Sequence, residues 1–181
     1  MARSLFASSA IATLLLHGGW TSHSHFKIPI PIDDTSTCNI KKGDNMHAVL
    51  KETKIMIWDE APMQHHYGPE AIDHTLKYLF KKKDEDIEDV PLFGGINVLF
   101  VSDFRQTLPV VPKGSRGQIV NASLWKSRLW RHIKVLHLIQ NMCLDCTPES
   151  DQFTQWLSKV GAGSDLTPDK SIKLPPNMHP S

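Results

Sequence analysis

Apolar residues fall into two kinds of run along this chain. Ile55-Met56-Ile57-Trp58, and Ile96–Val101 broken only by Asn97, are compact apolar blocks without polar alternation. Such blocks read as strands covered on both faces, here over Lys54–Trp58 and Ile96–Val101. Arg3–Ala7 and Ile133–Leu138 read as further strands. Between them the apolar period becomes helical. Ile72, Leu76, Leu79 and Phe80 fall on one stripe of a helix predicted over 69–82. Pro69 suits its first turn, and Lys81-Lys82-Lys83 complements the dipole at its end. Helices are also predicted over Ala10–Leu16, stopped by Gly18-Gly19, and over 45–52, 122–130 and 149–160. Strands alternating with helices predict an α/β fold with a parallel sheet flanked by helices.

The polar stretches separate these elements. Residues 20–43 are rich in Pro, Ser and Thr, and Pro29 and Pro31 exclude a long helix there. Asp84–Asp89 reads as a solvated acidic loop, 102–117 as a loop punctuated by Pro, and the Pro-rich tail from Gly161 as loosely ordered.

Composition narrows the class. The 181 residues carry 20 Lys and Arg against 19 Asp and Glu, a net charge of +1, with 40% hydrophobic residues. That excludes a disordered tail, a collagen and a disulfide-dense mini-protein, and gives no support to a strongly basic nucleic-acid module. Cys38, Cys143 and Cys146 are too few and too irregular for a disulfide framework. Cys143 and Cys146 form one C-x-x-C pair, which supplies two of a zinc ion's four ligands; with no second pair, ordinary thiols are the reading preferred to zinc. Residues 1–20 have some character of a secretory signal, but Ser8, Ser9 and Thr13 interrupt the apolar run, which is too short to span a membrane.

The chemistry gathers where the two central strands end. Asp59-Glu60 follows Ile55–Trp58 directly, and in open α/β sheets the carboxyl edge of the strands is where ligands bind. An Asp there suits Mg²⁺, and an adjacent Glu suits activation of an attacking water. Val101 is followed by Ser102-Asp103-Phe104-Arg105-Gln106. Gln106 is suited to sense a γ-phosphate, since an amide both donates and accepts without charge. The competing readings are a solvated strand end and a turn.

Longer words carry a resemblance. Ile57-Trp58-Asp59-Glu60-Ala61-Pro62-Met63-Gln64-His65 resembles motif II of the Pif family of superfamily 1 DNA helicases, above all its Helitron-like version. Asp103-Phe104-Arg105-Gln106-Thr107-Leu108-Pro109-Val110-Val111-Pro112 resembles motif III. Ala7–Ala12 and Thr21–Pro29 are similar to motif Ia and the segment after it, and Val135–Leu138 with Asn141-Met142 to the start of motif IV.

The resemblance implies a partial RecA-like lobe over 1–165, followed by a tail over 166–181. It implies an ATP- and Mg²⁺-dependent motor that moves 5′ to 3′ on single-stranded or forked DNA. It further implies a nuclear role in repair, recombination or telomere maintenance; secretion is the alternative location. Asp59 would hold Mg²⁺, Glu60 would activate water, and Gln106 would read the γ-phosphate, with Asp103 beside the nucleotide. Ser8, Ser9, Thr21 and His23 would face the DNA backbone, and Phe26 would stack on a base. Each of those four polar residues has an equal reading as a helix cap or turn former.

The chain departs from the family pattern in three places. No Gly-Lys dipeptide occurs, so the G-x-x-x-x-G-K-[ST] phosphate loop is missing, and the strand that feeds it is expected to be missing too. Cys143 stands where the family has an arginine after Asn-Met, and Val101-Ser102 replace Gly-Gly. An arginine of that kind contributes ~10³–10⁵ in rate. The expectation is a helicase fragment that hydrolyses no ATP by itself; the alternative is a non-catalytic DNA- or protein-binding remnant of a mobile element.

Overall fold

A computed structural model describes residues 3–14, 16, 18–103, 108–139, 148–164 and 171–172. The chain divides into two compact units, Met1–Ile133 and Lys134–Ser181.

The first unit is built on a four-stranded sheet. β1 (Arg3–Ala7) leads through a short helix α1 (Ala10–Thr13) to β2 (Trp20–Thr21), which runs directly into α2 (Ser22–Phe26). After an irregular stretch come α3 (Asn45–Glu52), β3 (Ile55–Asp59) and α4 (Tyr67–Phe80). β4 (Asn97–Val101) and α5 (Arg116–Ala122) complete its regular elements. The strand order is β2-β1-β3-β4 and every pairing is parallel, as the alternating pattern predicts.

One face of this sheet makes the core. Phe6, Met56 and Trp58 are essentially without exposure and meet Phe26 together with Ile72, Leu76 and Leu79 of α4. Phe6 stacks edge-on against both Phe26 and Trp58, with ring centroids 4.8 and 4.9 Å apart. Each such ring contributes roughly 1.5–3 kcal/mol by leaving water. The opposite face is less covered, so the double-sided burial expected of the two apolar blocks is corrected. Ile55 and Ile57 of β3 are half-buried, and Leu99 of β4 is 45% exposed at the edge of the sheet.

Buried carboxylates tie α4 to the chain around it. Asp73, wholly buried, accepts from Arg128 Nη2 at 2.8 Å and from the backbone N–H of Phe93 at 2.7 Å. Glu70 Oε1 accepts from the Ser127 hydroxyl at 2.6 Å and the Arg128 N–H at 3.1 Å. These contacts show why no helix covers 122–130. α5 begins earlier, at a capping box between Ser115 and Gln118, and Ser123 donates back to the Val120 carbonyl. Ser127 is drawn to Glu70, so only 3₁₀ turns form at Leu124–Lys126 and Trp130–His132.

Within the second unit, α6 (Pro148–Gly161) agrees with the helix predicted over 149–160. The strand expected over Ile133–Leu138 does not form: residues 133–139 join no ladder among the described residues, and Leu138 is fully exposed. β-propensity yields a strand only where an edge is there to receive it. The acidic run is an exposed turn, as expected. The tail expected over 166–181 lies outside the described residues apart from 171–172. No helix among the described residues is long and apolar enough to cross a membrane.

Candidate nucleotide and nucleic-acid edge

Parallel pairing in register brings the chemistry together. Thr21, Ala7, Asp59 and Val101 occupy one rung that crosses the whole sheet at its carboxyl edge. The three longer strands therefore end level, and the residues that follow them emerge on one rim. The ladder continues by one bond beyond the rung, from the Ser8 N–H to the Asp59 carbonyl at 3.0 Å.

The acidic pair sits in a tight turn. Asp59 Oδ1 accepts the Glu60 backbone N–H at 3.0 Å. Glu60 lies in the left-handed region, φ 54° and ψ 35°, which costs a residue with a Cβ roughly 1–2 kcal/mol. Ala61 and Pro62 bury themselves directly behind it, and the turn Ala61–Met63 closes with the Met63 N–H on the Glu60 carbonyl. Strain of this kind gathers at functional sites. Both carboxylates are half-exposed at the rim.

The other expected residues divide. Asp103 follows β4 by two residues on the same rim and is exposed; Gln106 lies outside the described residues. Ser8 is beside the acidic pair, where its hydroxyl accepts from the Trp58 indole at 3.0 Å. Ser9 caps α1 by accepting from the Ala12 N–H at 3.1 Å. Thr21 caps α2, accepting from the Ser24 N–H at 3.3 Å, and its hydroxyl lies 2.7 Å from that of Ser24. The capping readings of Ser9 and Thr21 are thus what the structure shows. Phe26 is corrected: it is wholly buried against Phe6 and offers no face to a base.

Two residues on this rim were missed. Trp20, one residue before the rung, is 60% exposed. Its signal in the sequence was an aromatic next to a polar, helix-capping segment. Gln64 is buried between Ser22 and His23, and nothing local marked it, because its partners lie more than forty residues away. Burial holds His23 and His65 below the usual imidazole range, with His66 pushing His65 the same way.

The described residues fit a metal better than a nucleotide. Mg²⁺ commonly takes one or two carboxylates from the protein and fills its shell with water and phosphate oxygens, a role open to Asp59. No cluster of three metal-binding side chains occurs among the described residues. A cavity of about 200 Å³ on this edge is lined by residues that include Ser8, His23, Gln64 and His65, with neither Lys nor Arg among the described residues of its wall. None of those described residues neutralises a triphosphate. The C-x-x-C pair lies outside the described residues.

The parallel α/β lobe, with an acidic pair on the carboxyl rim of its sheet, has the RecA-like fold. A family model described as PIF1-like helicase matches residues 3–171, and the chain belongs to that family. Among solved structures it is similar to Pif1 helicase from Bacteroides in complex with ADP-AlF3 and ssDNA, with 22% identity and a TM-score of 0.70 over 93% of this chain. A Pif1 helicase studied for DNA unwinding at forked dsDNA gives 23% identity and a TM-score of 0.71, again over 93% of this chain. Pif1 helicase from Candida albicans gives 20% and 0.61 over 99% of this chain. At these identities the likeness shows the fold. The chain spans 38%, 39% and 40% of the length of those three proteins, respectively. No curated protein sequence matches the chain significantly.

Proposed function

We propose that this chain is part of the motor lobe of an ATP-driven, 5′-to-3′ DNA helicase, and that its carboxyl rim meets single-stranded or forked DNA. The observation that carries this reading is the shared rung of Thr21, Ala7, Asp59 and Val101, which supports one working edge for the acidic pair and the segment from Trp20 to His23. In this reading Asp59 holds Mg²⁺, Glu60 orients and deprotonates the attacking water, and Asp103 and Gln106 serve the nucleotide. Ser8, Ser9, Thr21 and His23 line the path of the DNA backbone. Trp20, rather than Phe26, is the stacking platform. Nuclear action in repair, recombination or telomere maintenance belongs to the same proposal and rests on family membership alone.

The 181 residues contain no Gly-Lys dipeptide, so the phosphate cradle of such motors is not among them. DNA binding is therefore the activity to look for in these 181 residues. Fluorescein-labelled oligo(dT) should bind with an affinity that falls as salt rises. Trp20→Ala should weaken it by ~1–3 kcal/mol, the usual worth of one stacked base. Oligo(dT) binding indifferent to Trp20 and to salt contradicts the reading. Turnover of ATP should equal that of buffer; Mg²⁺-dependent hydrolysis abolished by Glu60→Gln contradicts that part.

A further inference from the structure

Gln64 follows the acidic turn and reaches across to α2. Its amide is buried beneath the segment assigned above to DNA, with Ser22 on one side and His23 on the other. Ser22, wholly buried, donates its hydroxyl proton to Gln64 Oε1 at 2.9 Å. With Oε1 on Ser22, Nε2 faces His23 Nδ1 at 3.2 Å. An amide NH₂ only donates, so in this arrangement Nδ1 presents its lone pair. The proton of the neutral ring then sits on Nε2, which has no hydrogen-bond partner among the described residues. Glycine at position 68 leaves room for this arrangement, since a Cβ there would stand 2.7 Å from Gln64 Nε2.

The surroundings favour the same state. Among the described residues, the cavity wall that holds His23 and Gln64 has one other titratable side chain, His65, and no Asp, Glu, Lys or Arg. On its own helix the nearest titratable group is His25, whose Nε2 lies 2.8 Å from the Ser4 hydroxyl. A proton on Nδ1 would set an N–H against the amide NH₂, and burial also disfavours the charged ring.

We propose that Gln64 is a positioning residue that holds His23 as the neutral Nε2–H tautomer, so that an oxygen of single-stranded DNA meets a directed hydrogen-bond donor instead of a cation. The purpose given to His23 rests on the DNA-binding reading above; the tautomer does not. It links the turn that carries Asp59 and Glu60 to the DNA-facing helix through two hydrogen bonds, since any shift of that turn moves the Gln64 amide and with it the ring.

Imidazole ¹⁵N spectra of the full chain, with His23 assigned from a His23→Gln variant, test the first half. The expected result at pH 7 is Nε2 protonated and Nδ1 bare; an Nδ1–H tautomer overturns the proposal. Gln64→Glu should accept from Nδ1–H, raise the His23 pKa, and make oligo(dT) binding about five-fold tighter at low than at high pH across the imidazole range, where the parent is flat. A flat profile in that variant, with its thermal midpoint unchanged, overturns the proposal as well. Should Gln64→Glu fail to fold, Ser22→Ala frees the amide to rotate and should give mixed tautomers; an unchanged single tautomer there counts against Gln64. If the parent chain does not bind oligo(dT), the DNA reading fails, while the spectra still decide what Gln64 does.

Discussion

The indole N–H of Trp58 donates to the hydroxyl of Ser8 across 3.0 Å, joining residues fifty positions apart in sequence. Trp58 is the last apolar residue before the acidic pair and is wholly buried, so its one polar atom needs a partner inside the fold. Ser8→Ala removes that partner and leaves the indole N–H unsatisfied. The expected loss is about 1–3 kcal/mol in urea unfolding, well above the few tenths typical of a surface serine. Ser8→Thr, which keeps the hydroxyl, should recover most of it.

Glu60 holds a backbone conformation that glycine adopts without cost. Glu60→Gly should therefore stabilise the fold by up to about 1 kcal/mol, and Glu60→Gln should leave stability nearly unchanged because it keeps the Cβ. Thermal unfolding of both variants reads the difference. A destabilised glycine variant would mean that the turn is held by the side chain and not merely tolerated.

Glu70 sets an acid limit. Burial opposes its charge, yet hydrogen bonds from the His66 ring, the Ser127 hydroxyl and the Arg128 N–H hold its carboxyl below the ordinary value of 4.5. A carboxylate with a lowered folded pKa contributes stability that is complete above the unfolded value and is lost as pH falls through the folded one. The stability gap between the parent and Glu70→Gln should therefore be constant above pH 4.5 and close as acid is added below it. Urea midpoints measured across that window give the gap directly; a gap that widens in acid would reverse the assignment.

Cys38 reports on opening of the fold. It is buried, and burial pushes its thiol up to about 12, partly opposed by Thr75. The thiolate is the reactive form, so a maleimide or disulfide reagent near neutral pH should leave Cys38 untouched in the native chain and modify it once urea unfolds the protein. Thr75→Val should speed native-state labelling, because the Thr75 hydroxyl accepts the Cys38 N–H at 2.7 Å and ties that segment to α4. Mass mapping of the labelled peptide separates Cys38 from Cys143 and Cys146.

Much of the architecture was legible along the chain. Ile55–Trp58 and Ile72, Leu76 and Leu79 announced a strand and a helix because burial alone selects their spacing, and β3, α3, α4 and α6 fall within two residues of expectation at either end. Asp59 and Glu60 were legible as charge at the end of an apolar strand, and they stand on the carboxyl rim of the sheet. What failed was local reasoning about residues whose partners are remote. Phe26 read as an exposed aromatic in a polar segment, and it is core because α2 turns it onto Phe6. Ile133–Leu138 has the composition of a strand, but a strand exists only in company.

The order of apolar and polar residues, by itself, determined that the chain makes parallel strands and covering helices, and that acid stands at the end of one strand; short-range burial and periodicity suffice for that. The tertiary structure alone decided that Thr21, Ala7, Asp59 and Val101 share a rung, that Ser8 partners Trp58, and that Gln64 sits between Ser22 and His23. Register and side-chain pairing depend on which distant segments come to lie together, and a residue's own neighbours in sequence carry no record of that.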